Sequence, residues 1–267
     1  MIENTVVGRV TVITPVESST DNTKLWHMRL GHIGKRGMLE LHKRNLLKGV
    51  KTCKLDFCKY CVYGKQHKVS FKTDSHTSKG VLDYIHSDVW GPVSVSSHSG
   101  VQYFVSFIDD YSRKVWIYFM KHKSDAFVIF QKWKTQVENQ IGRKIKYLKT
   151  DNGLKYRDKE FKRFCELEGI TRHFTAKGTP QQNGVAERMN RTLVERAKCM
   201  RLNAGLPKVF WAETVNKASF IINRSPSSAI DFKILDEVWS GRPVDYSSLK
   251  IDLWLSSLCA CAKWRVF

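Results

Sequence analysis

Two runs of residues that otherwise read as buried β-strands each carry an aspartate close to their end. Leu82-Asp83-Tyr84-Ile85-His86-Ser87-Asp88-Val89-Trp90 has a strand pattern up to the turn pair Gly91-Pro92, and Ile145-Lys146-Tyr147-Leu148-Lys149-Thr150 leads into Asp151 and the turn dipeptide Asn152-Gly153. An acid packs poorly at the end of an apolar strand, so a chain like this is expected to leave both carboxylates at the rim of one sheet. A third acid, Glu187, sits in the first turns of a long basic helix that follows Thr179-Pro180-Gln181-Gln182-Asn183-Gly184, with 35 residues between it and Asp151. Taken singly, the aspartates read as turn residues and Glu187 as a solvated acid near a helix N-terminus. Taken together, three carboxylates at one sheet edge can hold two Mg²⁺ or Mn²⁺ ions about 4 Å apart, a task for hard oxygen ligands. Such a pair activates an attacking oxygen and stabilises a leaving oxygen in an in-line displacement at phosphorus.

The charge balance points to the same substrate. The 267 residues include 45 Lys and Arg against 25 Asp and Glu, a formal +20, which favours a polyanionic partner. Between Arg143 and Arg201 the count is 16 basic to 7 acidic residues, so the excess surrounds Asp151 and Glu187. Lys146, Lys149, Lys155, Lys177, Arg188 and Arg191 are the candidates for phosphate contacts, and Gln181, Gln182 and Asn183 for polar contacts to phosphates or bases. Trp133, Phe161, Phe164, Trp211 and Phe220 read as core aromatics. A hydrophobic content of 42% is that of a folded chain, and no apolar run reaches the roughly 18 to 20 residues of a membrane-spanning helix. The N-terminal residues lack the pattern of a secretory signal, so the seven cysteines are expected in a reducing compartment, as metal ligands or buried thiols.

The coarse pattern is α/β. Three strands, around Leu82–Trp90, Gln102–Asp109 and Lys114–Phe119, precede a helix over Ser124–Gln140 in which Phe127, Phe130, Trp133 and Val137 fall on one face and Ser124 is the expected N-cap. A strand over Lys144–Thr150, a helix over Asp158–Glu168 and the long helix from Pro180 to about Asn203 follow. Mixed strands with interleaved helices predict a layered α/β domain. Ahead of it, residues 20–74 have short amphipathic spacing and too few apolar residues for a strong core of their own. His27 and His32, with Cys58 and Cys61 in Cys58-Lys59-Tyr60-Cys61, supply four zinc ligands to that segment, and Cys53 is a weaker competitor for a ligand position. Zinc would add folding free energy where the core is thin.

These motifs together resemble the integrase region of copia-type LTR retrotransposon polyproteins, especially those of plants, over roughly residues 20 to 250. Leu25 to His32 with Cys58 to Lys65 resembles the family's His-His-Cys-Cys pre-integrase module. His86-Ser87-Asp88-Val89-Trp90-Gly91-Pro92, Phe107-Ile108-Asp109-Asp110-Tyr111-Ser112-Arg113, Thr150-Asp151-Asn152-Gly153 and Thr179 through Leu193 resemble its catalytic-core motifs. The resemblance implies a ribonuclease H-like core with a mixed five-stranded sheet flanked by helices. It further implies Mg-dependent polynucleotidyl transfer with Asp88, Asp151 and Glu187 as metal ligands, DNA ends and target DNA as partners, a homo-oligomer, and action in the nucleus after synthesis in the cytoplasm. The alternatives are a ribonuclease H-like nuclease and a non-catalytic nucleic-acid-binding remnant. The expected organisation is a disordered segment over residues 1–19, the zinc module over 20–74, the catalytic core over 75–245 and an aberrant tail over 246–267. Two departures from the family pattern stand out: Lys155 where many relatives carry an acid, and a tail without pattern in which Cys259 and Cys261 are incidental. A shifted reading frame or a mispredicted gene model would account for that tail.

Overall fold

The computed structural model describes residues 22–65, 78–151, 159–174, 183–247 and 249. Its centre is a five-stranded sheet in the order β3-β2-β1-β4-β5, built from β1 (Tyr84–Trp90), β2 (Tyr103–Asp109), β3 (Val115–Met120), β4 (Tyr147–Thr150) and β5 (Thr171–Phe174). The first three strands are antiparallel neighbours, and β4 and β5 add parallel to β1. This is the ribonuclease H-like arrangement expected of the sequence. In β2, six of the seven residues of Tyr-Phe-Val-Ser-Phe-Ile-Asp are buried, as a strand covered on both faces requires.

Each face has its own core. On one side Ile85, Val105, Phe107 and Leu148 pack against helices α4 (Ala126–Ile141) and α5 (Lys159–Leu167), where Phe107 stacks on Trp133 at 4.2 Å. Helix α4 begins at Ala126 after a 3₁₀ turn over Lys123–Asp125, so Ser124 lies inside that turn and does not cap the helix. The expectation of Ser124 as N-cap is thereby corrected. The Asp125 carboxylate closes the turn, accepting from the His122 amide at 3.1 Å.

On the other side Phe104 and Ile108 pack against α6 (Gly184–Asn203) and α7 (Trp211–Asn223). The N-terminal helices α1 (Thr23–Arg29), α2 (Lys35–Lys43) and α3 (Lys59–Gly64) join this same core, since Trp26, Leu30, Met38 and Leu41 form one cluster with Leu193, Ala197, Met200 and Ile221. The N-terminal segment therefore draws its apolar cover from the sheet domain instead of building a separate core. Gly64 shows how closely α3 approaches: a Cβ there would lie 3.0 Å from the Cys199 amide nitrogen on α6. Of the five aromatics read as core, Trp133 and Phe161 are fully buried and Phe164 and Trp211 partly so. Phe220 is not a core residue. It is 36% exposed, with the Arg224 guanidinium 3.7 Å from its ring centroid and the Lys217 ammonium at 4.9 Å, so cations cover it where the core does not. Among the described residues no helix is long and apolar enough to cross a membrane.

Candidate metal centres

The first centre is assembled by a tight reversal after α1. Gly31 and His32 both adopt left-handed backbone, with φ of 60° each, and the His32 amide bonds back to the His27 carbonyl at 2.8 Å. Left-handed backbone is unfavourable at a histidine, so the surrounding structure must hold it there. The reversal turns the His32 ring edge-on to that of His27, with centroids 4.9 Å apart. His27 Nδ1 lies 2.9 Å from the Ile33 carbonyl oxygen. A carbonyl only accepts, so Nδ1 carries the proton and the Nε2 lone pair is left facing inward. Cys58, just ahead of α3, and Cys61 in its first turn bring their sulfurs to the same point.

The ligand atoms of His27, His32, Cys58 and Cys61 all lie within 4.8 Å of one another. His27 Nε2 and His32 Nδ1 are 3.2 Å apart, and the nitrogen-to-sulfur distances are 3.3, 3.5 and 3.7 Å. Ideal tetrahedral zinc, with bonds of about 2.0–2.1 Å to nitrogen and about 2.3 Å to sulfur, places such ligands about 3.3 Å (N to N) and about 3.6 Å (N to S) apart. The donor set and its spacing therefore fit a four-ligand zinc site. The Cys61 thiol is pulled far below its ordinary range by the Cys199 thiol, which donates to it from α6, with His27 and His32 adding and burial opposing. Cys53 is buried but is no member of the cluster.

The second centre lies on the sheet. Ile85 and Leu148 point into the α4 core, so by alternation Tyr84, His86 and Asp88 of β1 and Tyr147 and Lys149 of β4 share the opposite face. In the parallel register His86 pairs with Lys149, and two residues further on come Asp88 within β1 and Asp151 just past the end of β4. Glu187 comes to the same end from α6. Asn190, one helical turn after it, donates from Nδ2 to Asp88 Oδ2 at 3.0 Å, which ties that face of the helix to β1. The other Asp88 oxygen accepts from the Val89 amide at 2.9 Å. The Glu187 carboxyl is pushed above its ordinary range by burial and then by the negative charge of Asp88, with Asp151 adding and Arg191 and Arg188 opposing. Three acids within electrostatic reach of one another make a donor set suited to a hard cation.

The motif Asp109-Asp110-Tyr111-Ser112-Arg113 builds the wall beside this site. Asp109 accepts from the Leu82 amide, the Ser112 amide and the Ser112 hydroxyl at 2.7–2.8 Å, fixing the β2–β3 turn to the start of β1. Asp110 takes a 2.9 Å contact from His86 Nε2 and a 3.1 Å ion pair from Arg113.

The expected nucleic-acid contacts are less uniform. Lys146 is exposed but pairs with Asp83 at 2.7 Å, and Lys149 is half-buried on the carboxylate face, where burial pulls its ammonium down. Arg188 and Arg191 are exposed on α6, the former donating to the Gly184 carbonyl. Asn183 is 1% exposed at the start of α6, and neither amide atom has a partner among the described residues. Lys155, Lys177, Gln181 and Gln182 lie outside the described residues, as do Cys259, Cys261 and residues 1–19. Sequence reading missed Asn190 and Cys199. Asn190 was detectable as one turn from Glu187; nothing in the chain flags Cys199.

The GAG-pre-integrase domain matches residues 2–66 and the integrase core domain residues 78–180. Over 227 residues, 85% of this chain, the sequence is 48% identical to the Retrovirus-related Pol polyprotein from transposon TNT 1-94 of Nicotiana tabacum. The chain belongs to the copia-type retrotransposon integrases. The corresponding polyprotein from transposon RE2 of Arabidopsis thaliana is 33% identical over 261 residues, 94% of this chain. The integrase chain spans 17% of the length of each of these two relatives. Its fold is similar to that of a chain of the simian T-cell lymphotropic virus intasome, with a TM-score of 0.50 and 18% identity over 85% of this chain and 78% of that one.

Proposed function

We propose that this integrase region trims the 3′ ends of DNA and joins them to a target strand, with Asp88, Asp151 and Glu187 holding two Mg²⁺ or Mn²⁺ ions. The observation that carries the reading is the arrival of three carboxylates from β1, the end of β4 and the first turns of α6 on one end of one sheet face. Bound there, the metal pair supplies charge stabilisation for an in-line displacement at phosphorus. The protein's own part is to orient and to exclude alternatives. Asn190 and the Val89 amide hold the Asp88 carboxylate in one rotamer. Lys149, Arg188 and Arg191 place positive charge around the acids, where phosphates would approach. Lys146, Lys155, Lys177, Gln181, Gln182 and Asn183 complete the proposed DNA contacts.

His27, His32, Cys58 and Cys61 hold zinc in a closed structural role, since four protein ligands leave no open position for substrate. Through α3 against α6, that cluster steadies the helix that carries Glu187. The working protein is a homo-oligomer acting on nuclear DNA. The test is a strand-transfer assay with oligonucleotides of the element's terminal sequences and Mg²⁺: joined products in wild type and none in Asp151→Asn support the reading. Cleavage to water without joining would instead identify a nuclease, and the absence of both a nucleic-acid-binding remnant.

A further inference from the structure

Three rings on the carboxylate face have no part in either centre. Tyr84 of β1 stacks on Tyr147 of β4 with centroids 5.8 Å apart and planes at 25°, and His173 of β5 lies 5.3 Å from Tyr147 and 5.5 Å from Tyr84. The Tyr84 hydroxyl and His173 Nδ1 share a 3.0 Å hydrogen bond, which locks the trio. His86 supports Tyr84 from beside it, centroids 5.1 Å apart, and is itself held by Asp110. Whereas Phe104 and Ile108 on this face are sealed under α6 and α7, Tyr147 is 39% exposed and His173 is exposed. The sheet thus ends in an aromatic shelf that is open to solvent and built on a fixed base.

The shelf runs straight into the proposed catalytic centre. Tyr84 and Tyr147 pair across β1 and β4, His86, Lys149 and His173 form the next row, and Asp88 and Asp151 follow two residues on. Tyr84 and Tyr147 stand four positions along the chain from Asp88 and Asp151, about 13 Å at the usual rise per residue, and His173 lies in the row between. Lys149, half-buried in the intervening row, sets a cation between them.

We propose that Tyr84, Tyr147 and His173 form a stacking platform for unpaired nucleobases at the end of the DNA strand whose phosphate the carboxylates act on. Duplex bases already stack on both faces, so flat rings recessed in a sheet select bases that have come out of the helix. The neighbouring lysine suits the phosphate that accompanies them. A stacked base contributes about five- to a hundredfold in affinity and does so with little regard to sequence. The occupant is nucleic acid because the surroundings are basic and because the shelf continues the proposed active site. This inference rests on the integrase reading for its substrate, but its test does not require strand transfer.

The test uses the full chain at one salt concentration and labelled oligonucleotides of three kinds: a single strand, the same strand with abasic sites, and a blunt duplex. Tyr147→Ala is expected to weaken single-strand binding about tenfold and leave duplex binding within about twofold, while Tyr147→Phe, which keeps the ring, binds as wild type does. Wild type should hold the abasic strand as weakly as Tyr147→Ala holds the ordinary one. Equal losses on single strand and duplex, or abasic and ordinary strands bound alike by wild type, would overturn the platform. The abasic comparison needs no variant, so it decides the matter even if Tyr147→Ala folds poorly. Ring-dependent binding in a protein without strand transfer would retain the platform and remove the integrase reading; transfer with ring-independent binding would do the reverse.

Discussion

The two candidate metal centres both adjoin helix α6, one through α3 and the other through Glu187, and answer the problem of assembling ligands in opposite ways. At the His-Cys cluster the donors are imidazoles and thiols, which can hydrogen-bond to one another, and all four ligand atoms draw within 4.8 Å. At the sheet edge the donors are three carboxylates that only repel. One is tied to Asn190, and Glu187 resists ionisation first because it is part-buried and then because of Asp88 and Asp151. The first centre is preorganised by α1, its left-handed reversal and α3, with a cation needed to make it strong. The second is brought into the same neighbourhood by the fold but needs cations to close. A site made for structure can afford four ligands and closure; one made for chemistry must leave room for substrate oxygens.

The largest effect that could break this contrast concerns the His-Cys cluster. Because zinc affinity in such sites is folding free energy, chelation or Cys61→Ser is expected to destabilise the protein by several kcal/mol. Since Trp26, Leu30 and Met38 share a cluster with α6 and α7, the loss should appear as a lower midpoint for the whole chain in denaturant unfolding. A separate early transition, with the main one unmoved, would show that the N-terminal helices fold independently and that the shared core does not couple them.

At the acidic centre the expected loss is in chemistry. Asp151→Asn should lower Mg²⁺-dependent strand transfer at least about a thousandfold, about 4 kcal/mol of transition-state stabilisation. Binding of duplex DNA, measured in parallel, should change less than about twofold because the surrounding cations remain. Retained transfer would remove Asp151 from the metal site.

A carboxylate with a built-in cation sharpens the comparison further. Lys134, with its side chain 4% exposed, reaches both Glu138 and Glu168 at 2.8 Å. Burial pushes the Glu138 carboxyl up, but the Lys134 ammonium prevails and holds it below its ordinary 4.5; burial pulls Lys134 down, but the two glutamates hold it above 10.5. Glu138 therefore contributes stability that is full above pH 4.5 and lost as pH falls through its depressed value, and Lys134 contributes stability that is full below pH 10.5 and lost as pH rises through its raised value. Lys134→Met should cost about 3 kcal/mol at neutral pH by removing the buried cation from Glu138, which keeps only the exposed Lys144 at 3.3 Å and the Ile145 amide at 2.9 Å. Urea unfolding of the variant should lose the acid-side decline that this group causes in wild type. An unchanged pH profile would mean that the Lys134 ammonium is not what holds Glu138 below its ordinary range.

How much of this was legible depends on whether a residue is a misfit in its own segment. Asp88, Asp151 and Glu187 stand out because acids are poor residues beside apolar strands, and His27, His32, Cys58 and Cys61 because ligand types recur at metal spacing. Strand β5 was invisible: Thr171, His173 and Phe174 are exposed, so its four residues show no apolar alternation, and only parallel pairing with β4 makes them a strand. Helix α7 was missed for the opposite reason. Eight of its thirteen residues are buried, including Thr214, Ser219 and Asn223, which erases the contrast between faces that marks an amphipathic helix. Phe220 misled because its ring is satisfied by cations at the surface. The shared core between the N-terminal helices and α6 is a tertiary fact that no local pattern announces.

The smallest expected effect tests the contrast most directly. If Asp88, Asp151 and Glu187 repel in the absence of metal, replacing Glu187 with Gln removes one charge and keeps the shape. Glu187→Gln should then melt at or above the wild-type temperature in EDTA, although it removes a proposed ligand. Adding Mg²⁺ should raise the wild-type melting temperature and move that of the variant less, because ions that bind only the folded state stabilise it by mass action. The order of the two proteins in EDTA would then narrow or reverse with metal. The His-Cys cluster should behave in the contrary sense: Cys58→Ser removes a donor that contacts His32 Nδ1 at 3.5 Å, so it should gain nothing in chelator. Should Glu187→Gln melt well below wild type in EDTA, the glutamate would be supporting the fold through contacts of its own. The acidic centre would then resemble the His-Cys cluster in being assembled before any cation arrives.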